Sequence, residues 1–197
     1  MSGAGTFPAG ACDTHMHVYD GRFPAAPSAL LRPPDALVGD YRDVQRELGL
    51  DRVVVVQPTT YGFDNTCQVE AAAALRPGSR VVVVVDERTP RSVLAELDAA
   101  GARGARFHML PGGAVPWTSL TPTAAAVAEL GWHVQLQLDG RELPHHVDEL
   151  RSLPTPLVVD HVGRFMPPVD VDHPAFEALL ALLDTGRCWV KLSAPYE

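Results

Sequence analysis

Lysine is almost missing from this sequence: Lys191 is the one lysine among 16 basic residues. With the abundance of Ala, Pro and Val, this reads as a bias of coding composition rather than of function. Positive charge is short as well. The 24 acidic residues leave a net charge of −8 at pH 7, which argues against nucleic acid or an anionic membrane as partner. Single arginines can still bind an acidic small molecule, because net charge says nothing about one pocket. Cysteine is scarce, odd in number and widely spaced (Cys12, Cys67, Cys188). That excludes a disulfide framework and a thiolate zinc site, and it suits a reducing cytoplasm. No apolar run approaches the roughly 18 residues of a membrane span, and no leader-like segment opens the chain. The expectation is a cytoplasmic protein, with homo-oligomerisation left open.

What is present fits a globular domain. The 197 residues suffice for a sizeable core, and the 46% apolar and 20% charged fractions are ordinary. Residues 1–10 read as a flexible amino-terminal segment and 11–197 as one domain. Seven short apolar runs read as strands: Ala11–Val18, Arg52–Gln57, Arg80–Asp86, Gly104–Met109, His133–Leu138, Leu157–His161 and Cys188–Leu192. Helical spacing fills the intervals at Tyr41–Leu48, Asn65–Leu75, Arg91–Ala100, Thr123–Leu130, Pro144–Leu150 and Pro174–Asp184. Asn65 and Thr121 suit helix starts; Gly49, Gly101 and Gly131 suit stops.

Strand–helix alternation predicts a parallel sheet with crossover helices. Seven such steps approach the eight of a TIM-type (β/α) barrel. The polar residues favour the barrel over an open sheet. In "HVQLQLDG", His133, Gln135, Gln137 and Asp139 share one face, while Val134, Leu136 and Leu138 share the other. In "CWVKLSAP", Trp189, Lys191 and Ser193 alternate with Val190 and Leu192. Polar inward and apolar outward suits a barrel lumen, whereas a sheet covered on both sides would be apolar on both.

Active sites of such barrels lie at the carboxyl ends of the strands. Those ends hold His15 and His17, Thr59 and Tyr61, Arg106 and His108, Gln137, His161 and Arg164, and Ser193 and Tyr196. In "ACDTHMHV", strand alternation puts Asp13, His15 and His17 on one face, which suits a metal site or a paired polariser of a substrate oxygen. A solvated strand end is the plain alternative for that pair. For Arg106 the plain alternative is a structural ion pair, for Arg164 a solvated loop, and for His108 packing. Lys191 reads as a buried lumen lysine paired with a carboxylate, and His133, His145, His146 and His173 as solvated.

The ordered motifs "DTHMHV", "GARGARF", "VQLQLDG", "VVDHVGRF" and "VKLSAPYE" resemble the amidohydrolase superfamily. They are most similar to the branch of 2-pyrone-4,6-dicarboxylate lactonases and D-galactarolactone isomerases, from about Ala11 onward. The resemblance implies a hydrolase acting on a small acidic lactone. His15, His17 and His161 would polarise the carbonyl. Arg106 and Arg164 would hold carboxylates, with Gln137, Thr59, Tyr61 and Tyr196 lining the pocket. It implies no cofactor, with zinc on His15, His17 and His161 as the alternative. Lactone isomerisation is the second expectation, and a catalytically dead barrel fragment binding acidic ligands or a partner chain the third. The family's last strand carries a catalytic aspartate. With seven strands in 197 residues, the expected barrel is incomplete and lacks that residue. Asp160 is expected to face away from His161.

Overall fold

A computed structural model of the protein describes residues 7–194. Seven strands run Cys12–Met16 (β1), Arg52–Val56 (β2), Ser79–Val83 (β3), Ala102–His108 (β4), His133–Gln137 (β5), Leu157–Val159 (β6) and Cys188–Val190 (β7). Six helices separate them: Val38–Leu48 (α1), Thr66–Ala74 (α2), Arg91–Ala100 (α3), Leu120–Ala128 (α4), Leu143–Ser152 (α5) and Pro174–Leu183 (α6). All the strands pair in parallel, in the order β1 through β7. The spatial order never reverses, so there is no switch point of the doubly wound kind. The sheet instead curls, bringing Lys191 of the last strand's end within 3.1 Å of His15 on the first. The architecture is an incomplete TIM-type α/β barrel.

Local sequence accounts for the elements. Gly49 and Gly101 end α1 and α3 in left-handed backbone, at φ 70° and 106°, where a side chain would be strained. Asn65 precedes α2, but its amide is spent elsewhere: it accepts from Val84 N and donates to Val84 O. Thr121 does not start α4, which begins at Leu120, and its hydroxyl donates to Glu149 of α5. Outward residues of β5, Val134 and Leu136, are fully buried beneath helices. The inward Gln135 and Gln137 are also buried, so the lumen is a packed polar core.

The two ends of the first strand differ. Its register against β2 shifts between Asp13 and Met16, so strict alternation fails there. Asp13 accepts from the Tyr41 hydroxyl of α1 and from the backbone N–H of His15, away from the imidazole rings. Beyond β6 the backbone turns left-handed at His161, Val162, Gly163 and Arg164, with φ of 53°, 54°, 82° and 45°. For a β-branched residue such as Val162 this is a strained conformation. The turn is held by Val162 N donating to Lys191 O (2.9 Å) and Gly163 N donating to Asp160 O (3.0 Å).

Candidate active site

A cavity of about 380 Å³ opens at the carboxyl ends of the strands. It is lined by His15 of β1 and His17 just beyond it, Arg106 and His108 from β4, Gln137 from β5, and His161 and Arg164 from the left-handed turn. Thr59 also lines it. Tyr61 does not: it is buried beneath the loop after β1, where Asp20 N donates to its hydroxyl (2.9 Å). Tyr19, Leu31 and Ser193 line the wall in addition. Tyr196 lies outside the described residues.

The histidine pair has a definite hydrogen-bond direction. His17 Nδ1 is 2.7 Å from Val56 O, and a carbonyl only accepts, so that nitrogen carries the proton. Its Nε2 is then a lone pair, 3.3 Å from His15 Nε2, which must be the donor. On the far side of the ring, Lys191 Nζ lies 3.1 Å from His15 Nδ1. Burial lowers the pKa of His15 despite the neighbouring Asp160, and lowers His17 further, so both rings are neutral at pH 7. The chain therefore runs Lys191 → His15 → His17 → Val56 O. His161 stacks beside it, its ring centre 4.9 Å from that of His15, with Nδ1 2.9 Å from Ser193 Oγ.

Asp160 faces this cluster, contrary to expectation. Its backbone is still extended (φ −76°, ψ 148°) and continues the inward face of Val158, which pairs with Gln135; it is His161, in the left-handed turn, that leaves the alternation. Two consecutive residues, Asp160 and His161, consequently serve one site. Asp160 is 1% exposed. One carboxylate oxygen accepts from Gln135 Nε2 (3.0 Å), and the other lies 3.4 Å from both Lys191 Nζ and His15 Nδ1. Burial alone would raise its pKa. The positive charges of Lys191 and Arg106 outweigh that and hold it well below the usual range.

Arg106 is 4% exposed and donates to Gln57 O and Gln137 Oε1 (2.7 Å each). It forms the charged floor of the cavity, while Arg164 at the rim is half-buried. Gln137 Oε1 also lies 3.1 Å from His108 Nδ1, so that ring is an Nδ1–H tautomer with Nε2 an acceptor. Burial brings His108 to a pKa of about 4. His133, expected in solvent, packs instead against Gly104 at the base of the lumen, and its pKa is likewise about 4 through burial.

Among the described residues, His15, Asp160 and His161 each offer a ligand atom within 4.8 Å of one another, close enough to share a metal ion if their lone pairs converged. His17 is oriented as metal-bound histidines commonly are, its Nδ1 proton on a carbonyl and its Nε2 lone pair inward. His15 is not. Its Nε2 bears the proton, and its Nδ1 lone pair faces an ammonium. Asp160 and His17 address opposite nitrogens of that ring. Lys191 and Arg106 also place two cations beside a single carboxylate. As arranged, these residues do not fit a divalent ion.

A polar lumen that ends in histidines and arginines at the carboxyl ends of parallel strands defines a barrel-enzyme site. The chain belongs to the amidohydrolase family, whose model matches residues 12–197. It is 37% identical over 193 residues to D-galactarolactone isomerase of Agrobacterium fabrum, covering 97% of this chain and 66% of that protein. Identity to 2-pyrone-4,6-dicarboxylate hydrolase of Comamonas testosteroni is 35%, over 95% of this chain and 63% of that one. A protein of Agrobacterium tumefaciens solved in the apo form superposes with a TM-score of 0.92 at 35% identity, covering 97% of this chain and 71% of that one. The chain thus spans about two thirds of the curated relatives it matches.

Proposed function

We propose that the site opens the ring of a small acidic lactone by adding water at its carbonyl. The observation that carries this is the convergence of His15, His17, His161, Arg106 and Arg164 on one cavity. The His15 Nε2 proton, which rests on His17 over a long 3.3 Å contact, is drawn to the substrate's carbonyl oxygen when a lactone enters, polarising it and stabilising the tetrahedral oxyanion. Arg164 at the rim and Arg106 in the floor neutralise the substrate carboxylate, a task suited to the guanidinium fork. His108, neutral and unprotonated at Nε2, takes the proton of the attacking water. The ring C–O bond then breaks and the released oxygen is protonated, giving the open hydroxy acid. No cofactor is required, since the donors and cations supply what a Lewis acid would. The substrate is a small molecule, not a nucleic acid.

A second reading, lactone isomerisation, is favoured by the 37% identity to D-galactarolactone isomerase. There a hydroxyl of the substrate replaces water, and the oxyanion needs the same donors. One experiment separates the two. The chain is incubated with 2-pyrone-4,6-dicarboxylate, 4-sulfomuconolactone and D-galactarolactone in ¹⁸O-water and followed by NMR and mass spectrometry. Ring opening with one solvent oxygen in the product supports hydrolysis. A change of ring size without solvent oxygen supports isomerisation. No reaction with any of the three overturns both.

A further inference from the structure

Lys191 is used by neither reading above, yet its side chain enters the histidine cluster from behind. We infer that Lys191 is a positioning residue that sets the direction of the hydrogen-bond chain through His15 and His17, making His15 Nε2 a donor. The geometry leaves two candidates for His15 Nδ1. Lys191 Nζ can only donate to it, at 3.1 Å, whereas Asp160 Oδ1 can only accept from it, at 3.4 Å. The two demand opposite tautomers of a neutral ring. The next contact decides between them. His17 is fixed with its lone pair toward His15 by Val56 O, so a proton on His15 Nδ1 would set two lone pairs facing each other at 3.3 Å. The tautomer that Lys191 demands is the one His17 demands as well.

Asp160 then has a different task. Its carboxylate lies 3.4 Å from the Lys191 ammonium and is anchored from below by Gln135. It balances the ammonium behind His15, in the manner of outer residues that orient the groups touching a substrate. Without Lys191, Asp160 would take the Nδ1 proton. His15 would then carry a lone pair at Nε2, and the proton that the substrate oxygen draws from the His15–His17 contact would be lost.

The catalytic consequence rests on the lactone reading; the tautomer does not. The test uses the full chain labelled with ¹⁵N-histidine, with long-range ¹H–¹⁵N correlation at pH 7.5. The His15 ring is assigned by its loss in His15→Gln. An Nε2–H tautomer is expected for His15 in the wild type and in Lys191→Arg, and an Nδ1–H tautomer in Lys191→Met. An Nδ1–H tautomer in the wild type overturns the inference whether or not any variant folds, as does an unchanged tautomer in folded Lys191→Met. With a turned-over lactone, kcat of Lys191→Met should fall about 10- to 100-fold, the usual cost of removing such an orienting partner, with KM within about two-fold. Methylammonium should restore part of kcat in Lys191→Ala. An unchanged kcat in Lys191→Met overturns the catalytic half. If the wild type turns over no lactone, the function fails while the ring signals still decide the tautomer.

Discussion

The two sides of the lumen are built on different principles. On the β2–β3 side the lumen face is carried by Val56 and Val82, both wholly buried and in register with Gly104 of β4. On the side of β4 to β7, the interior is a file of Arg106, Gln135, Asp160 and Lys191, each spoken for by a neighbour. The valine wall draws stability from area removed from water, which tolerates modest changes of shape. The polar file holds charge out of water and is stable only while every member is present. Function has been placed where packing is least forgiving.

Removing a member from each side should break the symmetry of cost. Asp160→Ala leaves Lys191 and Arg106 buried without their carboxylate and should cost about 4 kcal/mol in urea unfolding. Val82→Ala, which only opens a small cavity, should cost about 2 kcal/mol. Equal losses would refute the contrast. Adding Lys191→Met to Asp160→Ala should recover part of the loss, since an unpaired charge goes with it.

At the mouth of the polar side, Arg164→Met should raise KM for an acidic lactone about 10- to 100-fold, the range expected for a lost charge-assisted hydrogen bond. A neutral lactone should be indifferent to the change. Equal effects on both substrates would move Arg164 out of substrate binding.

A smaller effect is expected from pH. Folded His108 and His133 have pKa values of about 4, below the 6.5 of the free side chain. Between pH 6.5 and 4 the unfolded chain takes up protons that the fold refuses, so stability falls as pH drops through that window. It should be insensitive to these groups above it. The urea midpoint followed from pH 8 to 4 reads this directly, and His133→Gln should flatten the slope. A slope identical in the variant would show that His133 does not contribute.

The smallest change concerns the turn after β6. Val162→Gly removes a β-branched residue from φ 54° and should add about 1 kcal/mol of stability. A loss instead would mean that the packing of Val162 outweighs its strain.

Much of this was legible before the fold was seen. Alternation in "HVQLQLDG" identified the lumen face of β5, because a regular strand obeys its period. His15 with His17, and His161 with Arg164, were legible at strand ends because those ends converge in a barrel; the three histidines as one group followed from the family resemblance. The face of Asp160 is misread when alternation is counted from His161, which lies in the left-handed turn; counted from Val158, the register partner of Gln135, it comes out inward. Tyr61 was misplaced for a similar reason: the short helical turn at Thr59–Tyr61 tucks it beneath a loop. The partners of Lys191 were out of reach of any local pattern, since His15 lies 176 positions away.

The peptide of Lys191 is a fastener as well as the root of its side chain. Its N–H donates to Val159 O and its carbonyl accepts from Val162 N, both at 2.9 Å. One residue thereby ties together the seam between β6 and β7, the left-handed turn that presents His161, and the protonation pattern of His15. Local opening of that short seam, well before global melting, would release all three at once. Inactivation on warming should therefore precede the loss of helical signal, and amide exchange at Val162 and Lys191 should keep pace with activity rather than with unfolding.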